Sequence, residues 1–246
     1  MNEMSERSKQ IRRDTIALSK ANGGYHYGGC FSIVEILIAL FDYTMKPKDK
    51  FILSKGHSCW PYYVILRELG YNPKLFGHPT RDEKNGVYCT TGSEGHGFPV
   101  GVGMALAKKI KNEEGIIYVL MGDGECQEGT TWESLLIAGK HKLDNLVVVI
   151  DKNKIQGSDY VNNILPIDGI EKIFHFAGWV SYEGVNGHSI DELVTEFRSK
   201  KVEGCPRLVI ANTVKGKGVS FMEADPKWHA CWLGGEQEQL ALKELG

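Results

Sequence analysis

Two nearly unbroken apolar runs, "IIYVLM" at 116–121 and "LVVVI" at 146–150, set the strongest limit on how this chain folds. A strand with one wet face alternates apolar with polar residues, so strands this uniformly apolar must be covered on both faces. A mostly parallel sheet with helices packed on both faces meets that demand, and the fold class expected is α/β. Further strands are expected at 51–53, 179–184 and 207–212, and helices at about 5–21, 32–42, 60–69, 98–112, 129–141 and 189–200. Within 129–141, Trp132, Leu135, Leu136 and Gly139 recur at i, i+3, i+4 and i+7 and are expected to face the sheet. No internal repeat, low-complexity tract or linker divides the chain, so residues 1–246 are expected to form a single domain.

Both apolar runs end in polar turns: Gly122, Asp123 and Gly124 follow the first, and "DKNKI" at 151–155 follows the second. Asp123 and Asn153 are therefore expected at carboxyl ends of strands, the edge where open α/β sheets bind ligands. A carboxylate, an amide oxygen and a backbone carbonyl are hard ligands suited to Mg²⁺ beside a diphosphate. The two glycines would let the backbone approach phosphate oxygens and leave N–H groups free to donate to them. Asp, Asn and Gly are equally good turn residues, so these positions alone leave both readings open.

His26, His57, His78, His96 and His229 lie in loops beside glycine, proline or small residues, which suggests a polar pocket able to donate hydrogen bonds and move protons. Their spacing does not suit zinc. Lys215 and Lys217 in "TVKGKGVSFME" form either a cationic loop over an anionic ligand or a solvated turn; the stretch is not a phosphate-binding P-loop. The 29 basic and 31 acidic residues give a net charge of −2, without the basic footprint of a nucleic-acid binder. No run approaches the ~18 apolar residues that span a bilayer, and the start is polar, so a soluble, cytoplasmic protein without membrane association is expected. The six scattered cysteines are expected to be reduced, with Cys126 a small buried residue rather than a reactive thiol.

Taken together and in order, "SKGH", "VYCTTGSEGHG", "GDGECQEG", "LDNLVVVIDKNKI" and "ANTVKGKGVSFME" resemble the amino-terminal half of transketolase, as found in the separate N-terminal subunit of two-gene transketolases. The resemblance covers roughly 12–230. It implies a thiamine-diphosphate-binding fold in which Asp123, Asn153 and the carbonyl of Ile155 hold Mg²⁺ (or Ca²⁺ or Mn²⁺). It further implies that Gly92, Glu94, Gly122, Gly124, Glu128, Asn153 and Ile155 stand against the cofactor, with Glu128 and Glu133 at a subunit interface. His26, His57, His78 and His229 match histidines near the thiazolium, the diphosphate and the sugar hydroxyls.

The implied reaction moves a two-carbon ketol unit from a ketose to an aldose. The family's pyrimidine-binding and C-terminal domains have no counterpart here, so the chain is expected to be inactive without a C-terminal subunit, with which it would form an α₂β₂-like assembly. Departures gather at the pocket: "YHYGGC" replaces "GHPGGS", Glu94 replaces a leucine, and "IQGSD" replaces "LQIDG". A short helical excursion between "RELGY" and "FGHP" is missing. The sugars are accordingly expected to differ from those of central pentose-phosphate metabolism. Two other readings stay open, another thiamine-diphosphate reaction (1-deoxyxylulose-5-phosphate synthesis or 2-oxo acid decarboxylation) and a non-catalytic relic subunit.

Overall fold

The computed structural model describes residues 5–157 and 159–246; residues 1–4 of the polar start, and Ser158 within the replaced stretch 157–159, lie outside the described residues. In chain order come α1 (Glu6–Ala21), α2 (Tyr27–Ser32), α3 (Val34–Phe41), β1 (Lys50–Leu53), α4 (Cys59–Glu68), α5 (Gly97–Ile110), β2 (Ile117–Gly122) and α6 (Gly129–Lys140). There follow β3 (Leu146–Lys152), β4 (Ile155–Gln156), β5 (Asp159–Tyr160), α7 (Val161–Ile164), α8 (Ile170–Phe176), β6 (Val180–Asn186), α9 (Ile190–Phe197), β7 (Arg207–Asn212) and α10 (Glu236–Leu245). The strands expected from apolar runs all form. They make a parallel five-stranded sheet of order β1-β2-β3-β7-β6, while β4 and β5 pair separately as an antiparallel hairpin.

Side-chain alternation divides the core between the two faces. Tyr118, Leu120, Val147, Val149, Val209 and Ala211 pack with α1, α3, α4 and α9, whereas Val119, Met121, Val148, Ile150, Leu208 and Ile210 pack with α5, α6 and α8. Every β2 residue is buried, as uniform hydrophobicity requires. Among the described residues no helix is long and apolar enough to cross a membrane.

The structure corrects two expectations. Leu136 does not face the sheet: it is 60 % exposed, and α6 buries Thr131, Ser134, Leu135 and Ala138 instead. A 100° step per residue gives Thr131 and Ser134 a place on the inner stripe that a count of apolar letters overlooks. The helix expected from 32 is two pieces, and the first begins at Tyr27. Its glycines serve close approach, since a Cβ on Gly28 would stand 2.6 Å from the Trp228 carbonyl oxygen and one on Gly29 2.5 Å from Ser58 Oγ. Low helix propensity yields here to packing.

Arg12 of α1 forms a two-pronged pair with Glu35 of α3 at 2.7 and 2.9 Å, both side chains buried. His188 Nδ1 meets the same carboxylate at 2.9 Å, and its Nε2 accepts from the Val214 N–H at 2.8 Å. Burial opposes charge on Glu35, but Arg12 and His188 overcome it and hold its pKa below the ordinary value of 4.5. Because the folded pKa is depressed, the stabilisation is complete above the unfolded value and fades as pH falls below about 4.5. Glu35→Gln is expected to cost about 3 kcal/mol at pH 7 by leaving Arg12 without its carboxylate, and less toward pH 4. Urea unfolding of both proteins across that range checks this; a pH-independent difference would contradict it.

Candidate active site

β2 and β3 lie side by side with Gly122 opposite Asp151, so the turns that follow them share the carboxyl edge of the sheet. There the chain leaves β2 through Asp123 into a 3-10 turn, Gly124–Gln127, before α6. Asp123 is 2 % exposed; its Oδ1 accepts from the Gly124 N–H at 2.9 Å and its Oδ2 from the Lys154 N–H at 2.5 Å. Among the described residues it has no ion-pair partner within 4.0 Å, and burial, reinforced by Asp151, pushes its pKa up to about 6. A buried carboxylate with two amide donors, and with Lys55 and Lys215 near but not paired to it, suits a cation of its own.

Asn153 Oδ1 accepts from the Ile155 N–H at 3.1 Å, and the Ile155 carbonyl accepts from Lys215 Nζ at 3.0 Å. Asp123, Asn153 and the Ile155 carbonyl thus offer three hard oxygens at one edge, and an ammonium already lies against one of them. This donor set fits a divalent cation of the Mg²⁺ type.

Behind this edge lies a charged cluster that sequence reading did not single out. Asp151, the penultimate residue of β3, lies on the same face as Val147 and Val149, wholly buried, and pairs with Lys55 while accepting from Ser32 Oγ at 2.7 Å, Asn153 Nδ2 at 2.9 Å and Thr213 Oγ1. Burial opposes both charges of the pair, yet each partner overcomes that cost for the other, holding Asp151 below and Lys55 above its ordinary pKa. Strand alternation was the available signal: an aspartate on the buried face of an apolar strand demands a buried cation. Lys215, expected either in a cationic loop over an anionic ligand or in a solvated turn, is not solvated: it is 2 % exposed and borders the cavity beside Asp123. Its pKa is lowered to about 8 by burial and by Lys55. The sequence neighbour Lys217 pairs with Glu223 at 3.1 Å near the surface.

Four of the five loop histidines converge. The His26 ring lies 5.4 Å from His57, 6.2 Å from His78 and 5.3 Å from His229, and His57 lies 5.1 Å from His229. His96 stays apart, exposed and bonded to the Glu94 carbonyl. Burial, with Lys215 and Lys55 nearby, lowers the pKa of His229 to about 3 and that of His57 well below the ordinary value; burial also lowers His26. These three rings are neutral at pH 7 and can both donate and accept hydrogen bonds. Gly92, at φ 141°, passes under His78, whose ring carbons would stand 3.1 Å from a Cβ there, a conformation and clearance that only glycine combines.

Between the metal-type edge and the histidines is a cavity of about 230 Å³. Glu94, Gly122, Gly124, Glu128, Gln127 and Gly157 help to line it. The N–H groups of Gly122 and Gly124 are not free as expected, since they donate to Glu125 Oε2 at 2.8 Å and to Asp123. What these glycines contribute is the missing side chain. Glu125, also overlooked in the sequence, is wholly buried, accepts from Ser54 Oγ and the Gly95 N–H, and has a pKa pushed up to about 7 by burial and Glu94. Glu128 and Glu133 are exposed. A larger depression, about 1060 Å³, opens at the opposite end of the strands around Pro47 and Arg198 and holds none of these groups.

The family model for transketolase, thiamine diphosphate binding domain, matches residues 5–246. The chain belongs to the transketolase family. It is 39 % identical to one subunit of the apulose-4-phosphate transketolase of Actinobacillus succinogenes, covering 99 % of this chain and 96 % of that one. It is 34 % identical to the 6-deoxy-6-sulfo-D-fructose transketolase subunit SqwG of Clostridium sp., with 99 % and 96 % covered. The crystal structure of transketolase from Campylobacter jejuni superposes with a TM-score of 0.83 at 28 % identity, covering 98 % of this chain but only 42 % of that chain. The sheet and its helices are thus the α/β fold of transketolase's thiamine-diphosphate-binding portion, and the chain is a transketolase-type transferase component. Glu94 places a carboxylate in the cavity wall, and Gly157, at φ 47° with open space beside it, leaves room there.

Proposed function

We propose that this chain is one domain and forms the diphosphate-binding half of a two-chain transketolase, moving a two-carbon ketol unit from a ketose to an aldose. The observation that carries this reading is the buried carboxylate of Asp123, without a cation of its own among the described residues, beside Asn153 and the Ile155 carbonyl. These three would hold Mg²⁺, or Ca²⁺ or Mn²⁺ in its place, against the cofactor's diphosphate. Lys55, Lys215 and the neutral His229 face the same cavity; the two ammonium groups would offset the anion's charge, and all three would donate hydrogen bonds to it. Gly92, Gly122 and Gly124 give the cofactor room, with Glu94, Glu128, Asn153 and Ile155 around it. Bound thiamine diphosphate supplies the electron sink for breaking the bond beside a ketose carbonyl. His26, His57, His78 and His229, whose rings gather around His26, would orient the sugar hydroxyls and take or return their protons.

The pyrimidine-binding half would come from a separate C-terminal subunit, in an α₂β₂-like assembly that uses Glu128 and Glu133 at an interface. Relatives of this length are named as single subunits of apulose-4-phosphate transketolases, and another as one of a 6-deoxy-6-sulfo-D-fructose transketolase. With the altered pocket residues, this favours a specialised sugar over those of central metabolism. Six free cysteines suit a reducing cytoplasm. The test is co-purification with a separately expressed C-terminal transketolase subunit, then titration calorimetry with thiamine diphosphate and Mg²⁺ and an assay with hydroxypyruvate and pyruvate as donors. Cofactor binding and ketol transfer from hydroxypyruvate by the pair, and no turnover by the single chain, are expected. Full turnover by the single chain, use of pyruvate alone, or no cofactor binding by the pair would each overturn the reading.

A further inference from the structure

Glu94 places a carboxylate in the cavity wall, and its loop is held firmly. The Gly95 N–H donates to Glu125 at 2.9 Å, the Gly95 carbonyl accepts from Thr130 Oγ1 at 2.8 Å, and His96 Nδ1 meets the Glu94 carbonyl at 3.0 Å. From this pinned backbone the side chain reaches the cavity and sets Oε1 3.1 Å from His57 Nδ1. His57 is 9 % exposed, and among the described residues its Nε2 makes no hydrogen bond.

We propose that Glu94 is a positioning residue that holds the proton of His57 on Nδ1, so that Nε2 is left unprotonated as an acceptor for a sugar hydroxyl. This rests on the ketol-transfer reading for its ligand but not for its geometry. A neutral imidazole carries one N–H, and which nitrogen bears it is set by the hydrogen bond the other ring position makes. Burial and the ammonium groups of Lys55 and Lys215 keep His57 neutral, with His26 and His78 acting in the same sense. The charged and titratable groups facing the pair are Lys55, Lys215, His26, His78, His229 and Glu125; burial raises the pKa of Glu94 above its ordinary 4.5, opposed by Lys55, His229, Lys215 and His78. An ionised carboxylate at Nδ1 accepts that N–H and leaves the Nε2 lone pair free. When a sugar hydroxyl gives up its proton, its O–H bond breaks, an Nε2–H bond forms, and the imidazolium is balanced by Glu94; return of the proton restores the starting state. With leucine at this position His57 would have neither the fixed tautomer nor the counter-charge.

The test reads the tautomer directly, by ¹⁵N–¹H long-range correlation of the histidine rings in the full 246-residue chain, with His57→Gln assigning the resonance. Wild type is expected to show protonated Nδ1 and unprotonated Nε2. Glu94→Leu should shift His57 toward the Nε2–H form, whereas Glu94→Gln, whose amide oxygen still accepts, should retain Nδ1–H. In the assembled enzyme Glu94→Leu is expected to lower kcat roughly tenfold or more with a smaller change in KM, and Glu94→Gln to fall between. An Nε2–H tautomer in wild type, or the same tautomer in wild type and Glu94→Leu, overturns the proposal. Absence of ketol transfer by the assembled wild-type enzyme would sink the functional reading while leaving the tautomer measurement to decide this one.

Discussion

Asp123→Asn in the assembled enzyme is expected to weaken binding of Mg²⁺ with thiamine diphosphate by roughly 10²-fold or more and to reduce ketol transfer at least as far. The reason is charge. The two amide donors on Asp123 position its oxygens, but only an ionised carboxylate attracts a divalent cation strongly enough to dehydrate it. In the metal-free chain the same carboxylate is a burden, because burial and Asp151 push its pKa up to about 6 and thereby disfavour the charged form at pH 7. Asp123→Asn should therefore leave the metal-free chain at least as stable as wild type while abolishing the rise in Tm that cofactor and Mg²⁺ produce. Calorimetry and thermal unfolding with and without Mg²⁺-thiamine diphosphate measure both halves of this expectation. A large drop in the metal-free Tm would show that Asp123 serves folding rather than the cation.

Lys55→Met is expected to destabilise the chain by about 3–5 kcal/mol, since it leaves Asp151 charged and enclosed with only hydroxyl and amide donors. The companion variant makes this specific. Lys55→Met combined with Asp151→Asn removes both charges and should recover most of the loss, because a neutral pair of similar volume needs no counter-ion. Urea unfolding of the two single variants and the double variant gives the coupling. If the double variant is as unstable as the sum of the singles, the pair is not acting as a unit. Cofactor affinity should fall in both variants lacking Lys55, whose ammonium borders the cavity.

These two residues also mark how far the sequence could be read. Asp123 stood out because Gly122 and Gly124 flank it at the end of an apolar run, and Asn153 because it follows a second such run. The parallel sheet was legible for the same reason, since "IIYVLM" and "LVVVI" admit few other placements. Lys55 was invisible as a partner of Asp151, being 96 positions away along the chain with no local pattern joining the two. Glu125 was passed over beside its more conspicuous neighbour Asp123, though its bonds to Ser54 and Gly95 tie the β2 turn to the loop that carries Glu94. The lysines of "TVKGKG" looked alike, yet Lys215 is enclosed against Gly28 while Lys217 reaches the surface.

By itself the sequence determined the layered α/β architecture, the edge at which the site would lie, the family to which the chain belongs and the chemical types of the metal-binding candidates. These depend on local order: hydrophobic period, turn residues and the succession of motifs along the chain. Only the tertiary structure decided that four histidine rings cluster around His26, that Lys215 is buried against the Ile155 carbonyl, that Asp151 and Lys55 neutralise one another, and that Glu94 reaches His57. Such pairings leave no trace in a local pattern. They are imposed when burial removes water from charged and polar groups and obliges each to find its partner across the fold.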